Sequence, residues 1–549
     1  MSVDTLFARM SPAQKAGQVM MIGFDGAHLS PETREAVAGL HPGGVVIFER
    51  NAASPRALAE LIAGLQAVAR ENGDPPLLVA VDQEGGRVAR LKEANGFTEF
   101  PSAMAVAASG DVENARRIAR AMAAELVAAG INMDLAPDLD INNNPANPVI
   151  GIRSFGDDPK VVAAYGAAFA GALQAAGVMA VGKHFPGHGD TATDSHVGLP
   201  VVPHHRQRLE AVELLPFRAV MSLLSPGEAP GAGGRAAPIA GIMSAHMACP
   251  ALEPTPGLLA TLSRRVLTGL LRDEMGYHGL ILTDSLEMGA LAEGGYPVPL
   301  AAVTALAAGA DLLTFNRGHE LHRQAHAMIL DWVGRDLLPR ERLDAAVRRV
   351  LATKERFGLL GGAQETRDSG EAGRAERMAL SRQISARAIT LLRDDAALLP
   401  LRGNARPLTL ETPAAEGLGK TLAAAAFPVA ADPTPAEITA AVAMAVGRTV
   451  IVATADANRS PGQVALVRAL LAANAAVIVV AVRGPYDLLA FEEVPTYLAT
   501  YGSNPPAFEA LADVLNGVTR PQGRLPVDLP GLISRRSGLD ELTPGEGAL

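Results

Sequence analysis

The chain has 549 residues, a formal net charge of −10, and 48% hydrophobic and 19% charged residues. At roughly 150 residues per domain this length exceeds one ordinary core, so two domains are expected. The acidic balance argues against a general nucleic-acid binder, which needs a basic surface for phosphates, and no apolar run reaches the about 18 residues that would suggest a membrane span.

Along the first 320 residues, short apolar runs of strand type recur at 19–22, 44–48, 77–81, 131–135, 178–181, 241–244, 280–283 and 311–315. Between them, alanine- and leucine-rich stretches such as 54–70, 112–129, 159–176 and 262–275 repeat apolar residues at three- and four-residue steps, as amphipathic helices do. Eight strands alternating with helices predict a (β/α)8 TIM-like barrel over 1–357. Segment 225–238 (SPGEAPGAGGRAAP) reads as a loop insertion before the sixth strand; its flanking prolines and missing lead-in strand oppose a phosphate cradle. The glycine-rich, charged, aperiodic stretch 358–376 reads as a linker. A smaller α/β three-layer sandwich is expected over 377–549, with strands at 448–453, 476–482 and 497–501, and weak periodicity from 402 to 440.

Almost every barrel strand ends in polar residues: Asp25, Glu49, Asp82 with Glu84, Asp134 with Asp138, Lys183 with His184, His246, Asp284 and Asn316. A barrel gathers such ends onto one face, where this architecture places its chemistry. The alternative for each acid is a cap on the following helix, and for Asp284 the pair with Glu287 three residues on is a capping box.

The densest group of proton-handling residues is KHFPGHGDTATDSHVGLP (183–200). Asp194 and His196 stand two apart, on one side of any extended segment. A carboxylate beside an imidazole fixes its tautomer and steadies the imidazolium, as a proton-transfer residue needs. His184 and His188 have the spacing of a zinc-binding helix, but Pro186 and Gly187 between them oppose a helix, and no metal is expected. Lys183 leaves a Schiff-base reading open. DQEGGRVAR (82–90) is either a self-satisfied salt-bridge cluster or a set of donors and acceptors for a polyhydroxylated ligand.

With IGIRSFG (150–156) and LTDSLEMGA (282–290), these segments resemble glycoside hydrolase family three, in particular its β-N-acetylglucosaminidase branch. RGPYDLLAF (483–491), YLATYG (497–502) and PQGRLPVDLP (521–530) are similar to the sandwich domain that many members carry. The resemblance implies that Asp284 is the nucleophile and His196 the general acid/base, with Asp194 as its partner. It further implies that Asp82, Arg90, Arg153, Lys183 and His184 hold the sugar. Glu492 and Glu493 are the alternative acid/base candidates, from the second domain. The expectation is a retaining exo-β-N-acetylglucosaminidase acting on peptidoglycan fragments or chitooligosaccharides. A β-N-acetylglucosaminide phosphorylase and a catalytically idle sugar-binding protein stand as alternatives. Its partner is a small carbohydrate, without nucleic acid, membrane or cofactor. One cysteine, Cys249, and an N-terminus without a signal-peptide pattern point to the cytoplasm.

Overall fold

The computed structural model describes residues 2–195, 198–223, 238–361, 370–401 and 407–535. The eight apolar runs form β1 (Met20–Gly23), β2 (Gly44–Ile47), β3 (Leu78–Val81), β4 (Met133–Asp134), β5 (Met179–Phe185), β6 (Gly241–Ser244), β7 (Leu280–Ser285) and β8 (Leu312–Phe315). They pair in chain order, all parallel, and β8 closes against β1 to complete a barrel. Both faces of each strand are buried, which is why they read as continuous apolar runs.

The side-chain period of two sorts these residues into two cores. Met21, Val46, Leu78, Ala80, Met179, Val181, Leu280 and Leu282 fill the barrel. Met20, Ile22, Val45, Ile47, Val79 and Ile281 face the surrounding helices. Helices Pro55–Glu71, Val112–Ala128 and Pro159–Ala175 begin at Ser54, Asp111 and Asp158, whose side chains accept first-turn backbone N–H groups. On β5 the inward series Met179, Val181 continues to Lys183, and on β7 the series Leu280, Leu282 continues to Asp284. Strand parity thus delivers an amine and a carboxylate to the open end of the barrel.

The second unit is a six-stranded sheet of β9 (Thr390–Asp394), β10 (Leu408–Glu411), β11 (Ala425–Pro428), β12 (Thr449–Thr454), β13 (Ala476–Ala481) and β14 (Thr496–Ala499). The order is β9-β14-β13-β12-β10-β11, and only β9 runs antiparallel to its neighbour. Val450, Val452, Val477 and Val479 pack on one face. Ile451, Ile478 and Val480 pack on the other, against Phe508 and Leu511, which gives the three-layer sandwich.

One feature departs from the sequence reading. The span 358–376 is not all linker, because helix Gly370–Ala388 begins inside it. There Arg377 pairs with Glu125 at 3.1 Å, and the Ser381 hydroxyl donates to the Glu99 carbonyl at 2.7 Å. The buried side of this helix carries Arg377, Ser381 and Ser385 beside Ile384 and Ala388, so hydrophobic periodicity does not report it. The segment 225–238, read as an insertion, lies outside the described residues apart from Pro238.

The two units share buried polar contacts. Ser102 donates to the Tyr501 carbonyl at 2.6 Å, and the Tyr486 hydroxyl donates to the Asn142 carbonyl at 2.8 Å while accepting from its amide at 3.1 Å. Among the described residues, no helix is long and apolar enough to cross a membrane.

Candidate active site

A cavity of about 360 Å³ opens where β3, β5 and β7 end, and Asp82, Arg90, Arg153, Lys183, His184, Asp194 and Asp284 all line it. Residues separated by two hundred positions in sequence therefore meet in one sugar-sized hollow. His196 lies outside the described residues.

Beneath the cavity is a buried ion cluster built around Glu84. Arg153 grips it through Nε at 2.9 Å and Nη2 at 2.8 Å, and Lys183 Nζ lies 2.6 Å away. Lys183 also donates to Asp82 Oδ1 at 2.7 Å, and Arg90 approaches the other oxygen of Asp82 at 3.4 Å. Burial penalises these acids, but Lys183, Arg90 and Arg153 outweigh it. Asp82 is held well below the usual carboxylate range and Glu84 is lowered to about 2. In return, Asp82 and Glu84 overcome the burial of Lys183 and raise it above the ordinary lysine value. These ion pairs favour the protonated amine, which is not a nucleophile, and so oppose the Schiff-base reading.

His184 has a different role from its neighbour. Its Nδ1 lies 2.6 Å from Asp140 Oδ2, and its Nε2 lies 3.2 Å from Arg153 Nη2. Burial, followed by the nearby Arg153 charge, lowers it to about 4. The assignment that satisfies both contacts is a neutral ring with Nδ1–H donating to Asp140 and Nε2 accepting from Arg153. Asp140 also accepts from the His188 backbone N–H at 2.6 Å. One carboxylate thus orients the ring of His184 and the start of the loop beyond it.

Asp138, Asp140 and His184 place possible ligand atoms within 4.8 Å of one another. The donor set does not suit a metal ion. Arg153 Nε already stands 3.5 Å from Asp138 Oδ2, and the His184 nitrogens are both engaged. Burial and then the neighbouring Asp140 raise Asp138 well above the usual carboxylate range, which disfavours the charged form a metal ion would need.

Asp284 is not a helix cap. It lies within β7, and its Oδ1 accepts from the Ser285 N–H at 2.7 Å. Glu287 instead accepts the backbone N–H groups of Asn316 and Arg317, at 2.6 and 3.2 Å. Burial would raise the Asp284 carboxyl, but His184, His246, the Ser285 N–H and Lys183 outweigh it and hold the group below its ordinary value. An ionised carboxylate facing an enclosed polar cavity is suited to nucleophilic attack or to stabilising a cationic transition state.

The described part of the loop after β5, residues 186–195, is tied to the rim of the barrel. Gly189 passes so close to Ile141 that a Cβ would sit 1.8 Å from the Ile141 carbonyl oxygen. His188 contacts Thr191 Oγ1 at 2.7 Å and Ser195 Oγ at 3.1 Å, and the Ser195 carbonyl accepts from the Ala290 N–H at 3.2 Å. Asp194 is thereby set on the cavity wall. Glu492 and Glu493 are exposed and do not line the cavity, and Glu493 pairs with Arg468 at 2.8 Å. His204 bonds Asp190 at 2.6 Å, and His205 precedes helix Arg206–Ala211.

Sequence reasoning left out Glu84 and Asp140 as site residues. Glu84 carries a signal, since it belongs to the same DQEGG segment as Asp82. Asp140 shows its importance only when β4 and β5 are side by side.

Residues 13–353 match the glycosyl hydrolase family 3 N terminal domain, and residues 389–541 match the glycosyl hydrolase family 3 C-terminal domain. Beta-hexosaminidase A of Pseudoalteromonas piscicida is 34% identical over 405 residues, covering 70% of this chain and 65% of that protein. The chain thus spans just under two thirds of that relative's length. Beta-hexosaminidase of Alkalilimnicola ehrlichii is 40% identical over 300 residues, covering 54% of this chain and 79% of that protein. The solved glycoside hydrolase family 3 beta-N-acetylglucosaminidase from Paenibacillus sp. str. FPU-7 superposes with a TM-score of 0.87 at 40% identity, covering 95% of this chain and 99% of that one. With both of its units matched in order, the chain belongs to glycosyl hydrolase family 3.

Proposed function

We propose that the protein is a retaining exo-β-N-acetylglucosaminidase, with peptidoglycan fragments as its first substrate and chitooligosaccharides as its second. The observation that carries this reading is the ionised Asp284 facing a sugar-sized cavity among Asp82, Arg90, Arg153, Lys183 and His184. The similarity to proteins named beta-hexosaminidase and beta-N-acetylglucosaminidase supports the same reading. In the first step Asp284 attacks the anomeric carbon, and His196, partnered by Asp194, gives its proton to the departing glycosidic oxygen. In the second, His196 takes a proton from water, which displaces Asp284 and restores the carboxylate. An imidazole suits both steps because its ordinary pKa lies near neutrality. Asp82, Arg90, Arg153, Lys183 and His184 hold the hydroxyl and N-acetyl groups of the terminal sugar. A buried, unpaired Cys249 is compatible with action in the cytoplasm.

Azide rescue tests the assignment. Asp284→Ala is expected to lose about 10⁴-fold or more of its activity on an aryl β-GlcNAc, a size usual for loss of a chemical group. Added azide should then restore turnover with an α-glycosyl azide as product, because a single displacement inverts. A β-azide, or a variant as fast as the parent, refutes Asp284 as nucleophile. Accumulation of GlcNAc-1-phosphate in phosphate buffer would replace hydrolysis with phosphorolysis.

A further inference from the structure

Arg87 stands at the tip of the hairpin formed by Gln83–Gly85 and Val88–Ala89. Two glycines put it there. Gly85 (φ +89°) and Gly86 (φ +59°) take left-handed conformations, and a Cβ on either would collide with Pro101 or Ser102. Arg87 lines both the sugar cavity and a narrow cleft whose far wall is Asp456, Asn458, Arg483 and Tyr486 of the second unit.

The charges around this junction do not balance. Arg87 is exposed, and among the described residues no carboxylate lies within ion-pair distance of it. The charged groups that face it are Arg483, Arg153, Asp456 and Glu84. Both acids are already engaged. Asp456 is held by Arg483 at 2.5 Å and Arg459 at 3.1 Å, and Glu84 by Arg153 and Lys183. Asp487, at the back of the cleft, is raised to about 7 by burial and supplies little compensating charge. Arg483 and Arg459 therefore share Asp456 in the cleft, and Arg87, which borders both the cleft and the cavity, has no acid of its own among the described residues. Guanidinium forks match carboxylate and phosphate oxygens.

We infer that Arg87 and Arg483 form an oxyanion-binding subsite on the leaving-group side of the scissile bond, selecting β-GlcNAc glycosides whose aglycone carries a carboxylate or phosphate. This rests on the glycosidase reading above and gives the second unit a part in choosing the substrate.

The test compares 4-nitrophenyl β-GlcNAc with its 3-carboxy-4-nitrophenyl counterpart. In the parent, kcat/KM is expected to favour the carboxylated substrate, and added salt should erode the preference. Arg87→Ala and Arg483→Ala should each lower the ratio about ten-fold, a size usual for one charge-assisted contact, while Arg87→Lys should retain most of it. Calorimetric titration with inorganic phosphate gives a second reading: binding to the parent that is lost in Arg87→Ala supports the subsite even if neither glycoside is cleaved. A ratio unchanged in both alanine variants, or equal phosphate binding by parent and Arg87→Ala, overturns the inference. So does Arg87-dependent formation of GlcNAc-1-phosphate without a preference for the carboxylated substrate, which would make free phosphate the bound oxyanion. Failure of the glycosidase reading looks different, as no nitrophenol is released from either substrate by the parent.

Discussion

Arg153 holds Glu84 through two parallel N–H···O bonds of 2.9 and 2.8 Å, and both side chains are almost fully buried below the sugar cavity. The arrangement fixes the guanidinium plane that His184 Nε2 rests on. Glu84→Gln is expected to cost about 3–5 kcal/mol, because Arg153 then loses its bidentate carboxylate and Lys183 keeps only that of Asp82. The urea midpoint measures this. Glu84 is ionised in the fold down to about 2, below the ordinary carboxylate range, so its contribution is complete above the unfolded value and fades as pH falls toward 2. The stability gap between parent and variant should therefore narrow as the pH drops below about 4. A gap that widens in acid contradicts the ionised state of Glu84.

Asp140 acts on the site through His184. In Asp140→Asn the amide can still accept from the His188 N–H, but its NH₂ group would face His184 Nδ1. That exchange moves the ring proton to Nε2, where it meets the donors of Arg153. Activity on an aryl β-GlcNAc should fall roughly ten- to a hundred-fold, the scale seen when a group that orients a site residue is changed. The diagnostic is the imidazole nitrogen NMR signature of His184, which should switch tautomer while the fold is kept. An unchanged tautomer with lost activity would mean that Asp140 does something other than orient the ring.

His322 provides a pH prediction away from the cavity. It is fully buried, neither ring nitrogen has a hydrogen-bond partner in good geometry, and it packs edge-on to Phe315 at 5.3 Å. Burial, then the neighbouring His319 and Arg323, lower it to about 4, with the Arg317 backbone acting in the other direction. A histidine lowered in the fold takes up its proton on unfolding, so its effect on stability worsens as pH falls from about 6.5 toward 4. His322→Phe removes that uptake. The variant should be at least as stable as the parent at pH 7 and gain a further advantage of about 2 kcal/mol at pH 5. Denaturant titrations at the two pH values decide it, and parallel losses in both proteins would show that His322 does not titrate on unfolding.

The barrel was legible because each strand is a short run buried on both faces and closed by glycine or a polar residue, as in 44–47 and 280–285. The rule that a barrel gathers its strand ends on one face also made Lys183 and Asp284 readable as companions at one rim. Three strands of the second sheet escaped notice for physical reasons. Ala425–Pro428 is an edge strand whose residues are mostly exposed, and Leu408–Glu411 is only four residues long. Thr390–Asp394 runs antiparallel at the opposite edge, where only its first half is buried. In the site, the individual charged residues were visible, but the sharing of Glu84 between Arg153 and Lys183 depends on a distance that no local pattern encodes.

The Gly85-Gly86 turn gives the last prediction, since it sets the course of the chain between Asp82 and Arg90. Gly86 has φ +59°, and an added Cβ would stand 2.6 Å from the Ser102 Cβ and 3.0 Å from its Cα. Ser102 cannot retreat, because its hydroxyl bonds the Tyr501 carbonyl at 2.6 Å and accepts from the Ala105 N–H at 3.1 Å. Gly86→Ala therefore combines a left-handed backbone with a collision against the contact between the two units. The expected loss is more than about 1 kcal/mol, together with a raised KM as Asp82 and Arg90 shift. Gly73 serves as the control, because it has φ +72° but an added Cβ would meet nothing within 4 Å. Gly73→Ala should show the backbone cost alone and keep the parent KM. If the two alanine variants have the same KM and the same unfolding midpoint, the collision with Ser102 has no consequence and the turn does not position the cavity wall.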